Sequence, residues 1–290
     1  MVSNISNNPP NLACCNFMSD TKLLREFALE HGFGGIDWTF TLENVPRSPS
    51  EESHLVSTIA TFEPLEVRYH CAFKMIDLGD IDGDSAEYAM GIFRRMCCLV
   101  AKLGGRFLTI HVGLGRDTTL ELCWDDTIAR LADLVRYSYG MGVRLCLENL
   151  AWGWTSRPEL FEKLIRKSGC WATIDIGHAH VSASVVSQQY QVNDFIAPHA
   201  ERILNAHVYH EEQSGKHRPP GKLKELEDRL QMLSQLPRCD WWVLELREEE
   251  ALLKSLSIVS EFFQQQFSDN EDCKKDHESM TRSGRNYLFL

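Results

Sequence analysis

The sequence predicts a single-domain (β/α)8 TIM barrel on three observations. Eight short apolar runs of strand character recur from end to end. Between them lie segments whose apolar residues repeat at three- and four-residue spacing, the mark of helices with one buried face. The repeating unit fills residues 11–267 without a break, close to the roughly 250 residues that such barrels use. Strand–helix alternation implies a parallel sheet with helical crossovers. A doubly wound open sheet shares that alternation, but no G-x-G-x-x-G turn follows the first run, and Leu103–Gly105 and Val112–Gly115 are too short for phosphate loops.

In chain order the runs are Leu12–Phe17, Gly35–Phe40, Glu66–Phe73, Arg106–Val112, Val143–Leu150, Trp171–Ile176, Ile203–Tyr209 and Trp241–Leu246. Met18–His31 reads as the first helix, with Ser19 as N-cap, Leu23, Leu24, Phe27 and Ala28 on one face, and Gly32 as the stop. Ser50–Thr61 reads as the second. Ser85–Leu103 carries Ala89, Ile92, Phe93, Met96 and Val100 and ends at Gly104-Gly105. Thr119–Tyr139 carries Ile128, Leu131, Leu134 and Val135 before Gly140. Arg157–Ser168 and Gln188–His199 follow, then a stripe of Leu223, Leu226, Leu230 and Leu233, then one of Leu253, Leu256, Val259 and Phe263.

Residues 1–10 are polar with a proline pair and read as an N-terminal tail; residues 268–290 read as a flexible C-terminal tail with an apolar end at Tyr287–Leu290. The ten cysteines show no C-x-x-C spacing and mostly sit in apolar runs, as small core residues do. A net charge of −11 argues against a nucleic-acid partner. No apolar stretch approaches the ~20 residues of a bilayer span, and the N-terminus lacks the order of a secretory signal. A cytoplasmic protein with a small-molecule substrate is expected, and a homo-oligomer is compatible with it.

Four of the runs end in a residue suited to a divalent cation: LCLE (Glu148), WATID (Asp175), ILNAH (His207) and WWVLE (Glu245). A carboxylate or imidazole in such a position needs a partner to offset desolvation. Barrel active sites lie at the C-terminal ends of the strands. There the second strand offers Asp37, the third His70, the fourth His111, the fifth Glu148 and Asn149, the sixth Asp175, His178 and His180. The seventh offers His207 and His210 with His217 in the loop beyond, and the eighth Glu245. Seven of the eleven histidines thus share one rim with Glu148, Asp175 and Glu245, a composition used by zinc, manganese and iron sites. Trp38, Trp152 and Trp154 follow strand ends and suit stacking on a ring. Arg218, with Lys216, stands beside His217 and suits an anionic group. Asp37 reads as a substrate contact or a helix cap, with the cap favoured. The prolines of HRPPG stiffen the loop carrying His217.

The ordered pieces RYHCAF, LTIHVG, CLENL, ATIDIGHAH, NAHVYH, GKHRPPG and VLEL resemble the xylose isomerase-like TIM barrels, a group that includes apurinic/apyrimidinic endonuclease family 2. The resemblance extends over nearly all of residues 11–267. It implies a single-metal ligand set of Glu148, Asp175, His207 and Glu245, with Glu148 and Glu245 also moving a proton and His178 contacting substrate oxygens. The endonuclease branch implies more ligands, which map onto His70, His111, His178 and His217. One of its aspartates is replaced by Gly215, and His210 stands where it has a carboxylate, so a full three-metal centre is not expected. Zinc or manganese leads as the cofactor, with magnesium or cobalt as alternatives, and a second metal through His70 and His111 stays open.

Two catalytic readings follow, besides a barrel that only binds. The first is an isomerase or epimerase, or a related dehydratase, acting on a sugar or polyol-like molecule. The second is a metal-dependent hydrolase of a small-molecule phosphodiester or amide; DNA is disfavoured by the net charge and by Gly215.

Overall fold

The computed structural model describes residues 9–283. All eight expected runs form strands: β1 (Asn11–Cys15), β2 (Gly35–Phe40), β3 (Glu66–Cys71), β4 (Phe107–Ile110), β5 (Arg144–Glu148), β6 (Trp171–Asp175), β7 (Ile203–Val208) and, after a hairpin of β8 (Glu211–Gln213) and β9 (Lys216–Arg218), β10 (Trp241–Leu244). The eight longer strands close into a barrel in which β10 pairs with both β7 and β1. Every barrel pairing is parallel.

The outer faces of the strands carry Ile36, Phe40, Tyr69, Leu108, Ile174 and Trp242, which pack beneath the helices. These are α1 (Thr21–Glu30), α2 (Pro49–Ala60), α3 (Gly83–Lys102), α4 (Trp124–Gly140), α5 (Pro158–Ser168), the short α6 (Ile176–Val181) and α7 (Ala183–Val186), α8 (Glu227–Ser234) and α9 (Glu249–Ser283). Asp20, not Ser19, caps α1: its Oδ1 accepts from the Lys22 and Leu23 amides at 2.9 and 3.1 Å. The expected helix over Gln188–His199 is instead two 3-10 turns, Val192–Phe195 and Ala197–Arg202. Pro198 lacks the amide that a continuous α-helix would use there. Helix α9 carries on through 268–283, part of the stretch read above as a tail. Residues 1–8 and 284–290 lie outside the described residues. Among those described, no helix is long and apolar enough to cross a membrane.

Side chains of alternate strand residues enter the barrel. At the N-terminal end the interior is polar and largely paired, with Trp241 Nε1 lacking a hydrogen-bond partner among the described residues. Arg68, 4% exposed, donates to Asn205 Oδ1 at 2.6 Å, to Glu66 at 2.8 Å and to Asp240 at 3.0 Å. Its guanidinium lies 4.0 Å from the Phe107 ring centre and 4.6 Å from that of Trp241. Above it Asn205 donates to Thr173 Oγ1 at 3.1 Å, and Thr173 shares a 2.8 Å bond with Thr109. The Trp241 ring fills the space a side chain at position 35 would need, since a Cβ there would sit 2.2 Å from Trp241 Cη2; hence Gly35.

This floor fixes what comes above it. Two residues further along, on the same inward face, Arg68 leads to His70, Thr109 to His111, Cys146 to Glu148, Thr173 to Asp175, Asn205 to His207 and Val243 to Glu245.

Removing the floor's cation should be costly. Arg68→Ala strands the buried Asn205 carbonyl and loses two ring contacts, an expected loss of about 3 kcal/mol. Urea unfolding measures it, and a loss below about 1 kcal/mol would show that the floor does not depend on Arg68.

Candidate metal centre

Glu148, Asp175, His207 and Glu245 converge as four fully buried or nearly buried side chains, each with a donor atom within 4.8 Å of the others. His207 Nδ1 is the hub: it lies 3.1 Å from Glu148 Oε1, 3.1 Å from Glu245 Oε2 and 3.9 Å from Asp175 Oδ2. Register explains the meeting. Asp175 pairs directly with His207, and His207 with Val243, two residues before Glu245.

The rim is held by side chains standing in for backbone pairing. Asn149, just past β5, accepts from the Asp175 amide and donates to the Asp175 carbonyl, both at 2.8 Å. Asp175 caps the next helix by accepting from the His178 amide at 2.6 Å. His178 Nδ1 lies 3.0 Å from the Asn149 carbonyl. A carbonyl only accepts, so Nδ1 carries a proton, and Nε2 faces Glu212. His217 repeats the arrangement, its Nδ1 2.8 Å from the Glu245 carbonyl. The Tyr209 ring supports it from below, stacked at 3.9 Å and 7°. Gly177 leaves room for that ring: a Cβ there would meet Tyr209 at 2.2 Å.

Two further donor groups flank the four. His70, His111 and Glu148 form one: His70 Nε2 and His111 Nε2 are 3.2 Å apart, and they lie 3.4 and 3.2 Å from Glu148 Oε2. His178, Glu212 and His217 form the other, with His178 Nε2 3.0 Å from Glu212 Oε2. Glu212 was missed by sequence reasoning. It pairs in register with His217 across the β8–β9 hairpin. Ser214 and Gly215 turn the hairpin at φ 53° and 70°, the left-handed region that tight hairpins demand. Position 215 therefore serves the turn, and Glu212 on the opposite strand brings a carboxylate beside His178 and His217. A two-residue Ser-Gly turn between polar triplets was the available signal.

Several expected site residues fall elsewhere. Trp38 alternates with Asp37 and points into the helical layer, edge-on to Phe62 at 5.8 Å; it does not reach the mouth. Asp37 caps no helix: it is buried inside the barrel with Oδ2 3.7 Å from His70 Nδ1. Arg218 is exposed on the strand face opposite His217, as is Lys216. Trp154 packs edge-on to Trp124 at 5.0 Å. Trp152 does stand at the rim, close against Gly113 of the loop after β4. His180 and His210 form a separate pair 5.7 Å apart, with Arg229 donating to His210 Nδ1 at 3.1 Å.

Burial would raise the carboxyl of Glu148, but His207 and His111 hold it well below the usual range. Glu245 is likewise held low against burial by His207 and His217. Burial also opposes charge on His207, yet Glu148 and Glu245 raise its pKa well above normal. Asp175 is pushed up to about 6 and Asp37 to about 7 by burial, whereas burial drops His70 to about 3. His178 rises to about 10, as Asp175 and Glu212 outweigh its burial. Three carboxylates around one imidazole, with Glu148 Oε2 and Asp175 Oδ2 lacking a hydrogen bond among the described residues, fit a divalent cation.

A cation at the four must expel the proton that His207 holds at neutral pH. The sign follows: affinity falls as pH falls, and more steeply once Asp175 also protonates near 6. The apparent Zn2+ affinity should drop by about tenfold per pH unit for each proton displaced. Chelator competition at pH 8 and pH 6 measures this, and a flat profile would remove His207 from the ligand set.

The model of a family described as xylose isomerase-like TIM barrel matches residues 25–262. Among solved structures, a D-tagatose 3-epimerase-like protein is 17% identical, with a TM-score of 0.68, covering 88% of this chain and 97% of its own. Endonuclease IV from Thermus thermophilus is 18% identical, with a TM-score of 0.63, covering 88% and 100%. The IOLI protein with a binding zinc atom is 14% identical, with a TM-score of 0.66, covering 87% and 97%. At these identities the likeness is one of fold.

Proposed function

The chain belongs to the xylose isomerase-like TIM barrel family, and from that premise we propose that it is a divalent-metal-dependent isomerase or epimerase, or a related dehydratase, of a sugar or polyol-like small molecule. The observation that carries this reading is the pair Glu148 and Glu245. They approach His207 from different strands, each with one oxygen 3.1 Å from its Nδ1. The second oxygen of Glu148 faces His111 and His70 at 3.2 and 3.4 Å, and that of Glu245 lies 4.0 Å from His70 Nδ1. An epimerase-like neighbour and a zinc-bound one support the reading at the level of fold.

Glu148, Asp175, His207 and Glu245 would hold the cation. When bound, it supplies Lewis-acid polarisation of a substrate carbonyl or hydroxyl. Glu148 and Glu245 then serve as the proton-moving pair, one removing a proton from the substrate carbon and the other returning one. Asn149 fixes the relative height of the β5 and β6 ends, and so the spacing of Glu148 from Asp175. His178 Nε2, 3.0 Å from Glu212 Oε2, would be shared between that carboxylate and a substrate oxygen, and Trp152 would form part of the wall.

Turnover in deuterated water should place deuterium on a substrate carbon. Glu148→Gln and Glu245→Gln should each lower kcat by about 10²–10⁴-fold, with the protein still folded. Full turnover with no exchange and an active Glu245→Gln variant would sink the proton-transfer reading.

A second reading, a metal-dependent hydrolase of a phosphodiester or amide, draws on the two additional donor groups, the one with Glu212 above all. Hydrolysis would use a cation-activated water. Metal analysis separates the two: one Mn2+, Mg2+ or Zn2+ per chain favours isomerisation, and two or more Zn2+ per chain favour hydrolysis.

A further inference from the structure

We propose that Asp37 is the outer-sphere acceptor that fixes which nitrogens of His70 and His207 face bound metal. The proposal rests on the metal reading above and holds for either reaction. Asp37 sits on β2, outside the four-residue set, and is 3% exposed. Its Oδ2 has no hydrogen-bond partner among the described residues. Two other buried ring nitrogens, on the two histidines grouped with it, share that condition: His70 Nδ1 and His207 Nε2. Donor atoms of Asp37, His70 and His207 all lie within 4.8 Å of one another, and His70 Nδ1 is 3.7 Å from Asp37 Oδ2.

Each imidazole shows the same division. His70 turns Nε2 toward His111 and Glu148, and His207 turns Nδ1 toward Glu148, Glu245 and Asp175. The opposite nitrogen of each has no hydrogen bond. A metal-bound imidazole donates its lone pair through one nitrogen and carries a proton on the other, and that N–H needs an acceptor. Arg68 pairs with Asp37 in register, but its guanidinium is taken by Glu66, Asn205 and Asp240. Glu245 Oε1 lies farther from His70 Nδ1, at 4.0 Å against 3.7 Å, so the Asp37 oxygen is the nearer acceptor, and with two lone pairs it serves both rings. A movement of under about 1 Å brings the His70 contact into hydrogen-bond range. This makes Asp37 a positioning residue, one shell outside the ligands.

The test compares wild type with Asp37→Asn and Asp37→Ala, stripped of metal and titrated with Zn2+ against a chelator. Asp37→Ala should weaken Zn2+ binding by about 10–100-fold, the usual scale for such a partner, and Asp37→Asn by less. The metal-free thermal midpoint should stay level or rise, because a buried carboxyl oxygen without a partner is removed. Long-range 1H–15N spectra of the zinc-loaded wild type should place the ring protons on His70 Nδ1 and His207 Nε2. Unchanged zinc affinity in both variants, or ring protons on the other nitrogens, would overturn the proposal while leaving the metal reading intact. A wild type that takes up no Zn2+ would overturn both. If Asp37→Ala does not fold, the wild-type spectra alone still decide.

Discussion

Burial of like charge is the constraint on which this molecule's upper half depends. Barrel closure turns Glu148, Asp175 and Glu245 inward onto one imidazole, away from water. Three carboxylates in that space need positive charge. Without metal, His207 supplies some of it as a cation, and Asp175 gives way by moving its pKa up to about 6. The surrounding histidines, the helix cap on Asp175 and the Asn149 clasp are arranged around that shortage.

The fold was legible because the strands are buried on both faces. Each therefore reads as an unbroken apolar run, and a polar residue at its end stands out, as Glu148 does after LCL and Asp175 after WATI. What was less legible is direction. Asp37 and Trp38 are neighbours on β2, so alternation forbids both from entering the barrel. Read strictly, it would have sent Trp38 outward and Asp37 inward. The capping errors are of another kind: Ser19 and Asp20 are both good N-caps, and only the local backbone decides between them.

The hairpin was hidden for a different reason. Triplets as polar as EEQ and KHR carry no apolar alternation, so strand character shows only in their turn. Counting ligands by position in the chain finds Gly215 and stops there. Counting them in space finds Glu212 directly across from His217. Strand register can thus bring a carboxylate beside His217 that the linear order does not place there.

The interlocked floor has a consequence for traffic. Arg68, Trp241 and the Asn205–Thr173–Thr109 chain seal the barrel beneath the carboxylates. In the proposed reaction a substrate would therefore approach from the side of His178, Trp152 and the hairpin and leave by the same side. A bound molecule would then stand between the buried carboxylates and solvent.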